Sequence, residues 1–139
     1  SCFFKYSILG RMLDKFLFRY YFKRQYKYEN VERIGLMKIE QPAAAVLVLR
    51  RHLIDELGYL FDTNFPIYGN DVDLAKRVLD MGYSNVVNFD LSIWHQGGSS
   101  VAGFWTSKIR RMRSEWIPIF FYKHYGRISS FYAKLILSI

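Results

Sequence analysis

Phe61-Asp62-Thr63-Asn64-Phe65-Pro66-Ile67-Tyr68-Gly69-Asn70-Asp71-Val72-Asp73-Leu74-Ala75-Lys76-Arg77 is the stretch from which the rest of the chain is read. Pro66 and Gly69 punctuate a loop over residues 59–69. Behind them a helix is predicted from about Asp71 to Met81, with Gly82 as its C-terminal stop. Asn70 has the side chain of an N-cap, and Asp73 stands three residues on, where a capping-box acid reaches back. Asp71 and Asp73 therefore share the first turn, where the positive end of the helix dipole favours carboxylates. A carboxylate there is fixed in direction, which suits a general base facing a cleft. First-turn stabilisation of the helix is the other use of Asp71. Asp73 and Arg77 are spaced for an i,i+4 ion pair, although Arg77 is also a candidate for holding an acceptor or a phosphate.

Upstream, Ala43 to Leu49 is a short continuous apolar run, expected to be a strand buried on both faces. Residues 52–57 read as a short helix stopped at Gly58, and residues 29–41 as a polar connection. Downstream, Val86–Phe89 and Leu91–Trp94 read as strand pieces, followed by a polar loop from His95 to Ser100. Two basic-aromatic segments flank this middle. Residues 7–28 form an amphipathic helical pattern, with Leu9, Leu13, Phe16, Leu17, Tyr20 and Tyr21 on one face and Arg11, Lys15, Arg19 and Lys23 on another. Residues 104–125 repeat the style, with an interruption expected at Pro118. Short strands between helices give an α/β expectation, divided into 1–40, a basic-aromatic helical segment, 41–103, a core, and 104–139, a basic-aromatic C-terminal segment.

The charge follows the same division. The net charge is +8, but residues 41–103 carry four Lys/Arg against seven Asp/Glu, while residues 104–139 carry seven against one. The acidic middle argues against a protein built to coat nucleic acid, and the basic flanks suit an anionic membrane surface. One cysteine, Cys2, rules out an intrachain disulfide and fits a reducing compartment. No run reaches the roughly 18–20 apolar residues of a membrane span. The chain starts at Ser1 and ends on an apolar run, and both ends read as cuts, so a fragment is expected.

Four motifs in order carry a resemblance. Phe61 to Arg77 is similar, without a gap, to Phe-Asp-Glu, a few residues, Tyr-Gly-Glu-Asp-x-Asp-Leu, two residues, Arg. Ala44 to Arg51 looks like a Gly-Ala-x-x-x-x-Arg-Arg strand, Gly82-Tyr83 like the Gly-Tyr after the helix, and His95, Gly97, Gly98 and Ser100 like His-x-x-Gly-x-Ser. Together, most clearly over residues 41–100, they resemble family-two glycosyltransferases, above all the bacterial rhamnosyltransferase-like members. The resemblance implies the C-terminal, acceptor-side part of a GT-A (Rossmann-like) domain with flanking amphipathic helices. It places Asp71 as the catalytic base that takes a proton from the acceptor hydroxyl. Asn70, Arg77, Gly97, Gly98 and Ser100 fall at acceptor- or diphosphate-binding positions. His95 falls where a histidine approaches the metal or the diphosphate, against the ordinary alternative of a structural histidine.

The implied reaction is a single inverting transfer of a sugar, with rhamnose a candidate, from a nucleoside-diphosphate donor to a saccharide or lipid-linked acceptor in polysaccharide biosynthesis. Mg²⁺ or Mn²⁺ would sit on the leaving diphosphate. The enzyme would be cytoplasmic and peripheral on the inner face of the cell membrane, with no nucleic-acid partner. Nothing ahead of Ala43 offers the strand-loop-helix set with a metal-binding Asp-x-Asp, so donor binding is expected in a further half and the 139 residues alone are expected to be inactive. Asp71-Val72-Asp73 spells Asp-x-Asp but opens a helix, so it is not read as that metal motif. Asn70 stands where the family has Glu, keeping hydrogen bonding but losing a charge, and Ala44 stands for a Gly. A non-catalytic or degenerate module bound to an anionic membrane surface is the alternative.

Overall fold

The computed structural model describes residues 32–65, 68–96 and 107–137, with side chains in the last segment described at 112 and 115–135. The helix expected over 7–28 lies outside the described residues. The described chain is mixed: strand β1 (Leu36–Ile39), helix α1 (Arg51–Leu57), helix α2 (Asn70–Asp80), strand β2 (Asn85–Asn88) and a long helical segment α3 (Ser107–Leu137). The two strands pair antiparallel, Leu36 opposite Asn88 and Ile39 opposite Asn85.

Helix α2 is the centre of the packing. Its sequence alternates apolar residues so that two sides are covered. Val72 joins Phe65, Trp116, Ile117, Phe120, Phe121 and Ala133 in one core. Leu74 and Val78 join Leu53 and Leu57 of α1 in another, with Leu47, Leu49, Leu60 and Tyr83 at its margin. The helix ends in a Schellman arrangement: Gly82, at φ 84°, donates its N–H to the Leu79 carbonyl at 3.0 Å, and Tyr83 donates to Val78 at 3.2 Å. The expected glycine stop is therefore present. From there Asn85 ties the sheet to the helix, its amide donating to Glu40 O at 2.9 Å and Ala75 O at 3.0 Å.

Four expectations about local structure are corrected. Residues 29–41 are not only a connection, since β1 lies within them; its pairing partner is about fifty residues away and leaves no local mark. Ala43–Leu49 is not a strand buried on both faces. Leu47 and Leu49 pack inward, but Val46 is exposed and Val48 is 94% exposed, because the described sheet has only two strands and neither adjoins this run. Leu91–Trp94 is likewise irregular and exposed, with Trp94 at 83%.

Finally, Pro118 does not interrupt α3. A proline removes one N–H from the helix, and here it is accommodated inside the helix while the break falls at Gly126 (φ 84°, ψ −177°). That conformation is open almost only to glycine. Ser130 Oγ donates to the Pro118 carbonyl at 2.9 Å, although twelve residues of straight helix would separate the two by about 18 Å. The leg 127–137 is therefore folded back on the leg 107–125, which is how Ala133 reaches the Trp116 core. No described helix is long and apolar enough to cross a membrane.

Candidate functional site

The start of α2 is built from backbone rather than from a capping side chain. Gly69 occupies the N-cap position in the left-handed region (φ 93°), without a side-chain cap, and its carbonyl accepts the Asp73 N–H at 2.8 Å. A Cβ on Gly69 would lie 2.7 Å from Trp116 Cε3, so the loop and the indole are in contact only because the residue is glycine. Asn70 is thus the first residue of the helix and not its cap. Its Nδ2 donates to Phe65 O at 2.6 Å, while its Oδ1 is buried with no hydrogen-bond partner among the described residues.

The two aspartates of the first turn part company. Asp71 is half-buried; its Oδ1 accepts the Val72 N–H at 3.0 Å, and among the described residues no cation pairs with it. Asp73 is 0% exposed and is the hub of a charge cluster. Its Oδ2 accepts from Arg77 Nε at 2.9 Å, and its Oδ1 from Lys123 Nζ at 2.7 Å and His124 Nε2 at 2.8 Å. Burial pushes the Asp73 carboxyl up, but the hydrogen bonds from His124, Lys123 and Arg77 outweigh it and bring the pKa down to about 2. With the carboxylate ionised, His124 Nε2 must carry the proton in that bond. Lys123 also reaches Asp62 Oδ2 at 2.8 Å. Burial lowers the Lys123 ammonium, and its hydrogen bonds to Asp62 and Asp73 more than reverse that. Asp62 is held below the usual carboxylate range, first by the Lys123 bond and then by the N–H of Asn64.

Arg77 makes the expected ion pair and more. Its Nη1 donates to Tyr59 O at 2.9 Å, its Nη2 to Leu60 O, and its guanidinium lies 4.3 Å from the Tyr59 ring centroid. Its donors are thus committed to clasping the loop 59–65 onto α2. That geometry favours the structural use of Arg77 over the holding of an acceptor. Asp73 is likewise more than a capping acid, because its carboxylate points inward to α3 and not back to the helix start. Lys123 and His124 were not singled out from sequence. Their signal is present nonetheless: they are the one Lys and the one His inside the apolar-aromatic run Trp116–Tyr125, and a buried cation there demands an acid from elsewhere.

His95 lies on the exposed segment after β2. Gly97, Gly98 and Ser100 lie outside the described residues. Among the described residues no group of three or more His, Cys, Asp or Glu could hold a metal ion. Asp73, the most buried donor, already has both oxygens engaged by cations. The described donors therefore do not fit a divalent cation. What the arrangement offers chemically is one half-buried carboxylate without a cation partner among the described residues, Asp71, on a helix start whose next acid, Asp73, is braced by α3. No family model matches the chain, and neither any curated protein nor any solved structure matches it.

Proposed function

We propose that the chain is the acceptor-side part of an inverting family-two glycosyltransferase, with Asp71 as the base. The observation that carries this reading is the division of labour in the first turn of α2. Asp73 is consumed by Arg77, Lys123 and His124, while Asp71, two residues earlier, is only half-buried and has no cation partner among the described residues. A base must be rigidly aimed and still reachable by a hydroxyl. Fixing one carboxylate in the interior to hold the helix, and leaving its neighbour available, meets both demands. The motif order from Ala44 to Ser100 supplies the reaction class, and Asn70 and the His95 loop remain proposed contacts for acceptor or diphosphate. Donor binding and the Mg²⁺ or Mn²⁺ ion belong in this proposal to a nucleotide-binding half of the parent enzyme. The parent would work peripherally on the cytoplasmic membrane face.

Asp71→Asn in the parent enzyme tests this. Loss of a general base lowers turnover by about 10²–10⁴-fold, so nucleoside-diphosphate release should fall by at least about 100-fold while donor affinity, by calorimetry, stays within about twofold. Unchanged turnover would remove Asp71 from the role. The 139 residues alone are expected to show no transfer.

A further inference from the structure

Asp71 sits in the middle of a turn that α3 grips at both ends. The Asp73 N–H closes this turn by donating to the Gly69 carbonyl at 2.8 Å, so Gly69 and Asp73 are its two ends. At one end, Gly69 lies so close to the Trp116 indole that a Cβ would stand 2.7 Å from Cε3. At the other, Asp73 Oδ1 accepts from His124 Nε2 at 2.8 Å, beside the bond from Lys123. Phe120 joins the two grips. Trp116, Phe120 and His124 recur at i, i+4 and i+8 and so form one row along α3. Phe120 is fully buried, its ring centroid 6.1 Å from that of Trp116 and 4.6 Å from that of His124. The Asp71 carboxylate makes its own hydrogen bond inside the turn, with the Val72 N–H, so its aim follows the turn.

We infer that Trp116, Phe120 and His124 are positioning residues for Asp71: their row fixes the turn that aims the carboxylate. The inference rests on the reading of Asp71 as the base. A base works only within hydrogen-bond reach of the proton it takes, and a misplacement of about 1 Å can cost about 100-fold in rate. The first turn of a helix is where such a shift comes most easily, because its N–H groups lack intrahelical partners and helix ends fray. Here the turn also has no side-chain cap, and α3 supplies the restraint that a cap would give. Arg77 reaches Asp73 from the next turn of the same helix and travels with it, whereas the row reaches it from another element. Lys123 differs from the row in that it also holds Asp62. Residues beyond 103, read from sequence as a basic-aromatic flank, thus become part of the transfer site.

The test compares His124→Leu with His124→Gln. Leucine removes the bond to Asp73 but keeps an apolar side chain on Phe120, and Lys123 and Arg77 stay on Asp73. Glutamine keeps an N–H donor. In the 139-residue chain, hydrogen exchange of the Asp73 amide should be about tenfold faster in His124→Leu, the ratio for one lost hydrogen bond to a charged group. The amides of Val78 to Asp80, at the far end of α2, should keep their rates. In the parent enzyme, His124→Leu should lower kcat by about ten- to a hundredfold, the upper end matching a misplacement of about 1 Å, with the donor KM unchanged. His124→Gln should restore most of it. Asp71→Asn/His124→Leu should be no slower than Asp71→Asn alone, because the row acts only through Asp71. An unchanged Asp73 amide, equal acceleration along all of α2, or losses that multiply in the double variant would each overturn the inference. Normal turnover in His124→Leu beside a lowered one in Asp71→Asn would sink this inference alone, whereas normal turnover in Asp71→Asn would sink the base itself and this inference with it.

Discussion

Asp73→Asn is the most demanding perturbation of this structure, because three scales of effect compete at one residue. A first-turn carboxylate is worth about 0.3–1 kcal/mol through the helix dipole. An exposed i,i+4 pair such as Arg77 with Asp73 would add about 0.3–0.5 kcal/mol. Removing one member of a buried charge cluster costs about 3–5 kcal/mol, since the partners left behind are unpaired and out of water. Asp73 is fully buried and faces Arg77, Lys123 and His124, so the third scale governs. Lys123 keeps Asp62, which places the expected loss near the lower end, at about 3 kcal/mol. The amide has the same shape as the carboxylate, so no cavity contributes. The assay is urea unfolding followed by tryptophan fluorescence, to which the buried Trp116 contributes. Adding Lys123→Met should return none of the loss, because Lys123 is still paired with Asp62, whose carboxylate would then be left without its cation. Acid supplies a second arm. The Asp73 carboxyl is at about 2 in the folded chain against an ordinary value of 3.8. A lowered folded pKa gives stability that is complete above the unfolded value and is lost as pH falls through the folded one. About 2 kcal/mol should therefore disappear between about pH 4 and pH 2, and the variant should lack that component. A loss in Asp73→Asn of under about 1 kcal/mol at neutral pH would refute the cluster as the brace of α2.

Two further substitutions test the glycine positions. Gly69→Ala meets both a positive φ, at about 1–2 kcal/mol, and the indole 2.7 Å away, at about 1–3 kcal/mol; unfolding should show the sum, and a double-mutant cycle with Trp116→Leu should show coupling only in the second part. Gly126→Ala has open space at its Cβ, so only backbone strain of about 1–3 kcal/mol is expected, with faster hydrogen exchange of the amides of residues 127–135 and little change in those of α2.

The legible parts of this chain were those whose cause is local. Helix α1 with its stop at Gly58, helix α2 with its stop at Gly82, and β2 over 85–88 follow from spacing and from glycine at a position that needs φ above zero. The i,i+4 pairing of Asp73 with Arg77 is equally local. The pieces that went astray depend on a distant partner. The apolar run 43–49 has the composition of an interior strand but no neighbouring strand among the described residues, and β1 is dull in composition yet finds one. Composition states how much a segment gains from burial, whereas only the folded chain supplies the surface against which it is buried. The same holds for the carboxylates. That two acids share a first turn was visible in Asp71-Val72-Asp73; which of them is sealed in and which is left only half-buried was set by Lys123 and His124, about fifty residues away, arriving on a helix that turns back at Gly126. Ionisable groups are assigned by the charges that approach them in space, and a sequence orders those charges only along the chain.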